Sequence, residues 1–426
     1  MLFFCVKVIE PSSVNLYYKQ SYFPTSGIKM LFTHLYIDNL FSFKQASLDL
    51  TYARPIQNST ITNEHLSGRA KFYVRKVAIL SGANATGKTS LGTLLNLIQN
   101  FVVLQKNVLA NFQEHIYHKE REAQFAVEFA TPKSHRLHRL QLDFSPLSVN
   151  VGFTYAQVAI GKNDSVSSTR KRLDAIWQSK TAIRNTRYLS SENTEKYAVA
   201  LSDLFDELKK EVESGWLYLF SNNEFSQDIK NTLNPEPINT NVLKAILQTF
   251  DKSIVDVDVL VSRDDDGING YSIKFGNLDT ILMDLHGKIT NAERLSKGTY
   301  DAIMVAEFVS RVINDFKENQ VSNTYYLDEK MAYAHSELEQ AILNLIIEKL
   351  QPNSQFFYTT HNYDILDMNL PIHSYVFLRK DDEYSQFVQP ETMFKKNDRR
   401  LLNYVKNDVF CTLPDTTAID DLLFDE

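Results

Sequence analysis

The sequence predicts an α/β fold, on three observations. A short apolar run, Val77-Ala78-Ile79-Leu80, leads into a glycine-rich turn and then into Leu91–Ile98, which has helical spacing. Three segments between Gln124 and Tyr155 alternate apolar and polar residues, as an antiparallel meander does. From about residue 296 onward, helix and strand patterns alternate, which is the wiring of a parallel sheet covered by helices.

The elements follow in order. The opening Met1-Leu-Phe-Phe-Cys-Val is greasy but is broken at once by Lys7 and Glu10. It is too short for a signal-peptide core and lacks a basic lead. Met30 directly precedes the first convincing strand, so residues 1–29 are expected to be a leader of uncertain structure, poorly packed. Phe32–Asp38 and Ala46–Tyr52 alternate like half-buried strands. A loop rich in Asn, Ser and Thr runs to about residue 68, followed by the strand, the glycine-rich turn and a helix that continues through Val108 to Tyr117. Gln124–Phe129, Leu140–Phe144 and Val151–Tyr155 form the meander. Residues 162–252 read as mainly helical, with an amphipathic stretch at Asp203–Val212. Val255–Val261 and Tyr271–Phe275 flank the turn Asp264–Gly270, a hairpin signal. The predicted organisation is therefore a split head, residues 30–161 and 253–390, with a helical lobe inserted at 162–252. A C-terminal extension, 391–426, ends in the acidic tail Asp420-Asp421-Leu-Leu-Phe-Asp-Glu.

Composition narrows the classes. A chain of 426 residues with 43% hydrophobic and 23% charged residues has ample material for a core. No segment approaches the about 18 uninterrupted apolar residues of a membrane span. Two cysteines, Cys5 and Cys411, argue against a disulfide framework and for a reducing, cytoplasmic setting. The net charge of −7 provides no global field for nucleic acid. A local basic cluster, Arg170-Lys171-Arg172 with Lys180, Arg184 and Arg187, is a solvated helix face or a grip for phosphates or an acidic partner.

The chemistry starts at Gly82-Ala83-Asn84-Ala85-Thr86-Gly87-Lys88-Thr89, which fits G-x-x-x-x-G-K-[ST] and is followed by Ser90. Gly82 and Gly87 let the backbone turn its amides inward. Those amides and the positive end of the next helix cradle an oligophosphate. Lys88 then meets the β and γ phosphates and Thr89 ligates Mg²⁺. Three further segments follow. Leu295-Ser296-Lys297-Gly298-Thr299 opens an amphipathic helix and is, alone, either a plain N-cap or an anion site. Asn323-Thr-Tyr-Tyr-Leu-Asp328-Glu329 ends a strand in two carboxylates. By themselves these are an ordinary acidic turn, or a metal-positioning Asp328 beside a water-activating Glu329. Gln355-Phe-Phe-Tyr-Thr-Thr-His361 ends another strand in a histidine that is a surface residue or a γ-phosphate contact. Acidic pair, helix, strand, histidine is the spacing expected if these strands lie side by side with their C-terminal ends over one nucleotide.

On these residues the chain resembles ABC-class P-loop ATPases. Gly82–Thr89, Leu295–Thr299, Leu327–Glu329 and Thr359–His361 look like their Walker A, signature, Walker B and switch-histidine motifs. Within the class it resembles the SMC, RecF and OLD branch, to whose first strands Leu35-Tyr-Ile-Asp-Asn-Leu-Phe-Ser-Phe-Lys is similar. It is also similar to the stand-alone "AAA family ATPases" of bacterial phage-defence operons, including the ATPase subunit of PARIS systems. The resemblance covers most of residues 31–390. It implies a head with a mixed sheet and an antiparallel β meander, ATP and Mg²⁺ as cofactors, and slow hydrolysis. It further implies pairing of two copies, in which Ser296 and Gly298 of one copy cap the γ-phosphate held by Lys88 of another. The implied catalytic residues are Glu329, His361 and Lys88, and the implied metal ligands are Thr89 and Asp328. Lys330 stands where relatives often carry proline, and Met331–Leu338 replaces a Leu-His-Pro segment. Gln124 and Gln99 are candidates for the Mg²⁺-sensing glutamine. The implied roles are a defence sensor controlling a separate effector protein, or a RecF-like DNA-maintenance ATPase that clamps nucleic acid.

Overall fold

Three parallel strands set the architecture: β3 (Val77–Ser81), β13 (Asn323–Asp328) and β14 (Gln355–Thr360). All three are fully buried, as strands covered on both faces are, with the polar residues of β13 and β14 confined to their two ends. In the computed structural model the described residues are 30–54, 59–103, 109–145, 151–179, 182–185, 215–222, 224–227, 237–261, 267–285, 289–319, 322–394, 400–414 and 416–422. The central sheet has the order β16-β15-β3-β14-β13-β8-β9. It includes β8 (Gly215–Leu219), β9 (Phe225–Gln227), β15 (Tyr375–Asp381) and β16 (Tyr384–Val388). β15, β3, β14, β13 and β8 run parallel, and the two edge strands are antiparallel. β14 thus lies between β3 and β13, so the phosphate loop, the histidine and the acidic pair emerge at one rim, the usual place for a ligand in such sheets.

A second, antiparallel sheet has the order β2-β1-β4-β5-β6-β7. It is built from β1 (Leu31–Asp38), β2 (Ala46–Asp49), β4 (Ala123–Thr131), β5 (Arg136–Phe144), β6 (Val151–Ala159) and β7 (Ile183–Asn185). Helix α1 (Lys88–Val102) is packed between the two sheets. Its buried Leu91, Leu94, Leu95 and Ile98 meet Ala78, Leu80 and Phe357 of one sheet and Phe125 and Val127 of the other. The expected continuation is a separate short helix, α2 (Leu109–Glu114). Gly92 permits the close approach of α1 to β13, because a Cβ there would lie 2.5 Å from the Tyr326 ring. On the other face of the central sheet lie α4 (Thr240–Phe250), α5 (Lys297–Asn314) and α6 (Ser336–Glu348), together with the sheet β10 (Ile254–Val261), β11 (Ile268–Phe275) and β12 (Thr280–Asp284). The α3 helix (Val166–Gln178) covers the outer face of the antiparallel sheet.

The early strands, the meander and the β10–β11 pairing match the sequence reading. Where the sequence predicts a mainly helical lobe at 162–252, the described residues hold the helices α3 and α4 and also the strands β7, β8 and β9. Gly215–Leu219 is a buried strand of the central sheet, paired with β13, because its apolar run fills the place beside Asn323–Leu327. The stretch Asp203–Val212 and the leader 1–29 lie outside the described residues. The helix expected between β14 and β15 is reduced to two 3-10 turns, Tyr363–Asp367 and Ile372–Ser374, on either side of Pro371. Among the described residues no helix is long and apolar enough to cross a membrane.

One buried group gives the fold a pH signature. His138 is fully buried in β5, between Thr131 Oγ1 (3.0 Å) and the Tyr155 hydroxyl (2.7 Å). Burial lowers its pKa to about 3. The unfolded chain takes up a proton on this ring below about 6.5, whereas the folded chain does not, so the group lowers stability as pH falls. Between pH 7 and pH 5 it should remove about 2 kcal/mol. Denaturant titrations should show that loss in the wild type and a flatter profile in His138→Gln; parallel profiles would refute the assignment.

Candidate nucleotide site

The loop between β3 and α1 takes the geometry that its glycine spacing requires. Gly87 has φ +102°, and a Cβ there would lie 2.9 Å from the Phe43 ring, so both the backbone and the space demand glycine. Ala85 also adopts a positive φ of 59°. Lys88 is 4% exposed, and its Nζ donates to the carbonyls of Gly82 and Ala83 at 3.0 Å each. Burial pushes its pKa down, and the neighbouring Glu329 opposes that shift.

Register places the acids. Asp328 and Thr359 are direct partners in the β13–β14 ladder. Asp328 is fully buried and shared by two hydroxyls: Thr89 Oγ1 donates to Oδ2 at 2.8 Å, and Thr359 Oγ1 donates to Oδ1 at 2.7 Å. Glu329 sits at φ +52°, a strained conformation for a non-glycine residue and one often found at functional sites. Its N–H donates to Thr359 Oγ1 at 3.0 Å. Its Oε1 lies 2.9 Å from His361 Nε2 and 3.4 Å from Lys88 Nζ. The hydrogen bond from His361, then the charge on Lys88, hold its pKa below the ordinary glutamate value against burial. Tyr326 donates its hydroxyl to the Lys88 carbonyl at 2.6 Å, tying α1 to the acid strand.

The structure therefore brings Lys88, Thr89, Asp328, Glu329 and His361 into one cluster. Ala83, Asn84, Thr86 and His361 also line a cavity of about 760 Å³ with Tyr363, Arg379 and Cys411–Pro414. Thr359 was missed from the sequence, although the paired threonines before His361 were a signal, since parallel register sets a hydroxyl against Asp328.

Ser296 and Gly298 stand apart from this cluster. Ser296 is exposed and caps α5, accepting the Thr299 N–H at 3.1 Å. Among the described residues no hydrogen bond joins Ser296 or Gly298 to the phosphate loop. The start of α5 is tied to the acid strand by Lys330, whose Nζ lies 3.7 Å from Asp301 Oδ1 and donates to the Ser221 carbonyl at 2.9 Å. Lys330 is 2% exposed. Lys330, directly after the acidic pair, is therefore a buried cation joining three elements.

Among the described residues, neither glutamine candidate is hydrogen-bonded to the cluster. Gln99 is fully buried against Thr324 Oγ1 (3.0 Å) and the Tyr218 hydroxyl (2.7 Å). Gln124 lines a separate cavity with Asp38, Glu122 and Asp143. The element that reaches Asp328 is instead the turn after β8, where the Ser221 N–H lies 3.4 Å from Oδ2. The basic cluster is also partly spent on the fold. Arg170 binds Asp49 and Glu128, and Arg172 binds Asp164 and the Ala159 carbonyl. Lys180 and Arg187 lie outside the described residues, as does the Arg184 side chain.

No protein-family model matches the chain, and no curated protein matches it in sequence. Solved structures similar in fold include an SMC head bound to the C-winged helix domain of ScpA, at 12% identity and TM-score 0.44, covering 86% of this chain and 100% of that one. The SMC head domain from Thermotoga maritima aligns at 12% identity and TM-score 0.38, covering 84% and 99%. The recombination mediator protein RecF with ATP aligns at 11% identity and TM-score 0.37, covering 86% and 100%.

Proposed function

We propose that the chain is an ABC-class switch ATPase that binds ATP with Mg²⁺, pairs with a second copy through the nucleotide and hydrolyses it slowly. The observation that supports this reading best is the double convergence on the phosphate loop: Thr89 with Asp328, and Lys88 with Glu329 and His361. The residues present fit the cofactors. Lys88 already satisfies its ammonium on loop carbonyls that face the cradle, and one buried carboxylate beside a hydroxyl suits a Mg²⁺ that keeps most of its waters. Bound Mg²⁺ and triphosphate supply the phosphoryl group to be transferred and a Lewis acid that neutralises its charge. Lys88 binds the terminal phosphates, Thr89 and Asp328 position the metal, Glu329 orients water and accepts its proton, and His361 holds the γ end. Ser296, exposed, and Gly298, half-buried, make no hydrogen bond to the phosphate loop among the described residues and are assigned to act on another copy.

In this reading the chain is the sensor or regulator of an anti-phage system acting on a separate effector protein. The motif resemblance supports that role. The RecF-like reading differs in one measurable way, since strong stimulation by DNA with a steep salt dependence would favour DNA maintenance. The first test is Lys88→Ala. Losing one charge-assisted contact should weaken ATP binding by about 100-fold in calorimetry. Wild-type protein without affinity for adenine nucleotides would end the proposal.

A further inference from the structure

We propose that Glu339 is a positioning residue for His361, fastening the loop that carries the histidine to the first turn of α6. The inference rests on the role given to His361 above.

Glu339 is 1% exposed. Its carboxylate accepts three hydrogen bonds, all from the switch strand and its loop. The Tyr358 hydroxyl (2.5 Å) and Thr360 Oγ1 (2.9 Å) donate to Oε1, and Asn362 Nδ2 (2.8 Å) donates to Oε2. Burial raises the pKa of Glu339, and the bonds from Tyr358, Asn362 and Thr360 oppose that rise, all three donating to a group that offers them acceptor oxygens. Without them the charge would be too costly to bury. Two of the donors, Thr360 and Asn362, are the residues on either side of His361. The stitching continues outward. Asn362 Nδ2 also donates to Ser336 Oγ (3.1 Å), Ser336 Oγ donates to Asp364 Oδ2 (2.6 Å), and Gln340 Nε2 donates to the Asp364 carbonyl (2.9 Å).

The entry to α6 is the segment Met331–His335, which starts just after Glu329 and Lys330 and carries the exposed Tyr333. Glu329 and His361 touch directly at 2.9 Å, and Glu339 joins the chain segments behind them a second time. A displacement of residues 331–335 by another copy would thereby reach the histidine through Glu339.

Glu339→Gln tests this without changing shape. The amide keeps an acceptor for Tyr358 and Thr360 but sets an NH₂ against the NH₂ of Asn362. Turnover should fall about 10- to 100-fold through misplacement of His361, with KM for ATP within about twofold of wild type. Adding Asn362→Asp places an acceptor opposite the new amide and should restore most of the turnover, a coupling that a merely structural role would not produce. The His361 imidazole NMR signals of the nucleotide-free protein provide a readout independent of catalysis. They should shift in Glu339→Gln and return in the double variant. Unmoved signals, or turnover equal to wild type in Glu339→Gln, would overturn the inference. Signals that behave as expected in a protein without ATPase activity would instead sink the proposed function and leave the positioning intact.

Discussion

Glu329→Gln should lower ATP turnover by about 10²- to 10⁴-fold while leaving nucleotide binding in place. The side chain lies within 2.9 Å of His361 Nε2 and 3.4 Å of Lys88 Nζ, at the strained end of β13. His361, and then Lys88, hold its pKa below the ordinary glutamate value, so it is ionised at neutral pH. The sign follows directly: the proton-accepting form persists as pH falls, and is lost only below the ordinary range. The acid limb of turnover should therefore lie below that of an unperturbed glutamate. A base so acidified is a weak one, which agrees with a slow switch. Glutamine preserves the shape but removes the base and the charge facing Lys88. Lys88 would keep the phosphate role proposed for it, and the loss of its counter-charge would favour anion binding. Nucleotide-loaded pairs of the variant should accumulate in gel filtration with ATP and Mg²⁺. Hydrolysis at the wild-type rate in single-turnover assays would remove Glu329 from the role of base.

Much of this cluster was legible because its parts are local. Gly82–Thr89 has a fixed spacing, and strands that end in Asp328-Glu329 and in His361 are readable as apolar runs with polar tips. Their convergence follows once β3, β14 and β13 lie side by side. What escaped depends on distant pairing. Gly215-Trp-Leu-Tyr-Leu is short and apolar throughout, so periodicity cannot separate a buried strand from a helix segment. Only its register with Asn323–Leu327, more distant in sequence than any hairpin, makes it a strand and brings Ser221 to Asp328. Gln99 misled for the opposite reason. A glutamine on α1 looked available, but the helix is packed between two sheets, and the side chain serves Thr324 and Tyr218. Glu339 carries no motif at all, since its three donors come from β14 and the loop beyond it.

Arg170→Met should cost about 3 kcal/mol of stability and change nucleic-acid affinity little. From sequence alone, Arg170-Lys171-Arg172 reads as a solvated helix face in this acidic chain, with a grip for phosphates or an acidic partner as the second reading. In the fold, Arg170 leaves α3 to span three strands of the antiparallel sheet. Its Nε donates to Glu128 Oε2 on β4 at 2.7 Å, its two terminal nitrogens clasp Asp49 on β2 at 2.9 and 3.1 Å, and Nη2 also donates to the Thr33 carbonyl on β1 at 3.0 Å. Burial raises the pKa of Glu128, but Arg170 and then Arg139 outweigh it and hold the carboxylate below its usual range. Removing Arg170 leaves Glu128 buried with Arg139 as its remaining cation and leaves the Asp49 carboxylate without its fork. Breaking one side of such a network costs more than an exposed pair, because the partner charge stays out of water. Methionine keeps the packing of the stem on α3, so the loss reports the charge. Urea titration at neutral pH should show the midpoint fall, whereas an Arg170 that grips phosphates would leave the midpoint near wild type and lower the salt slope of DNA binding by about one charge.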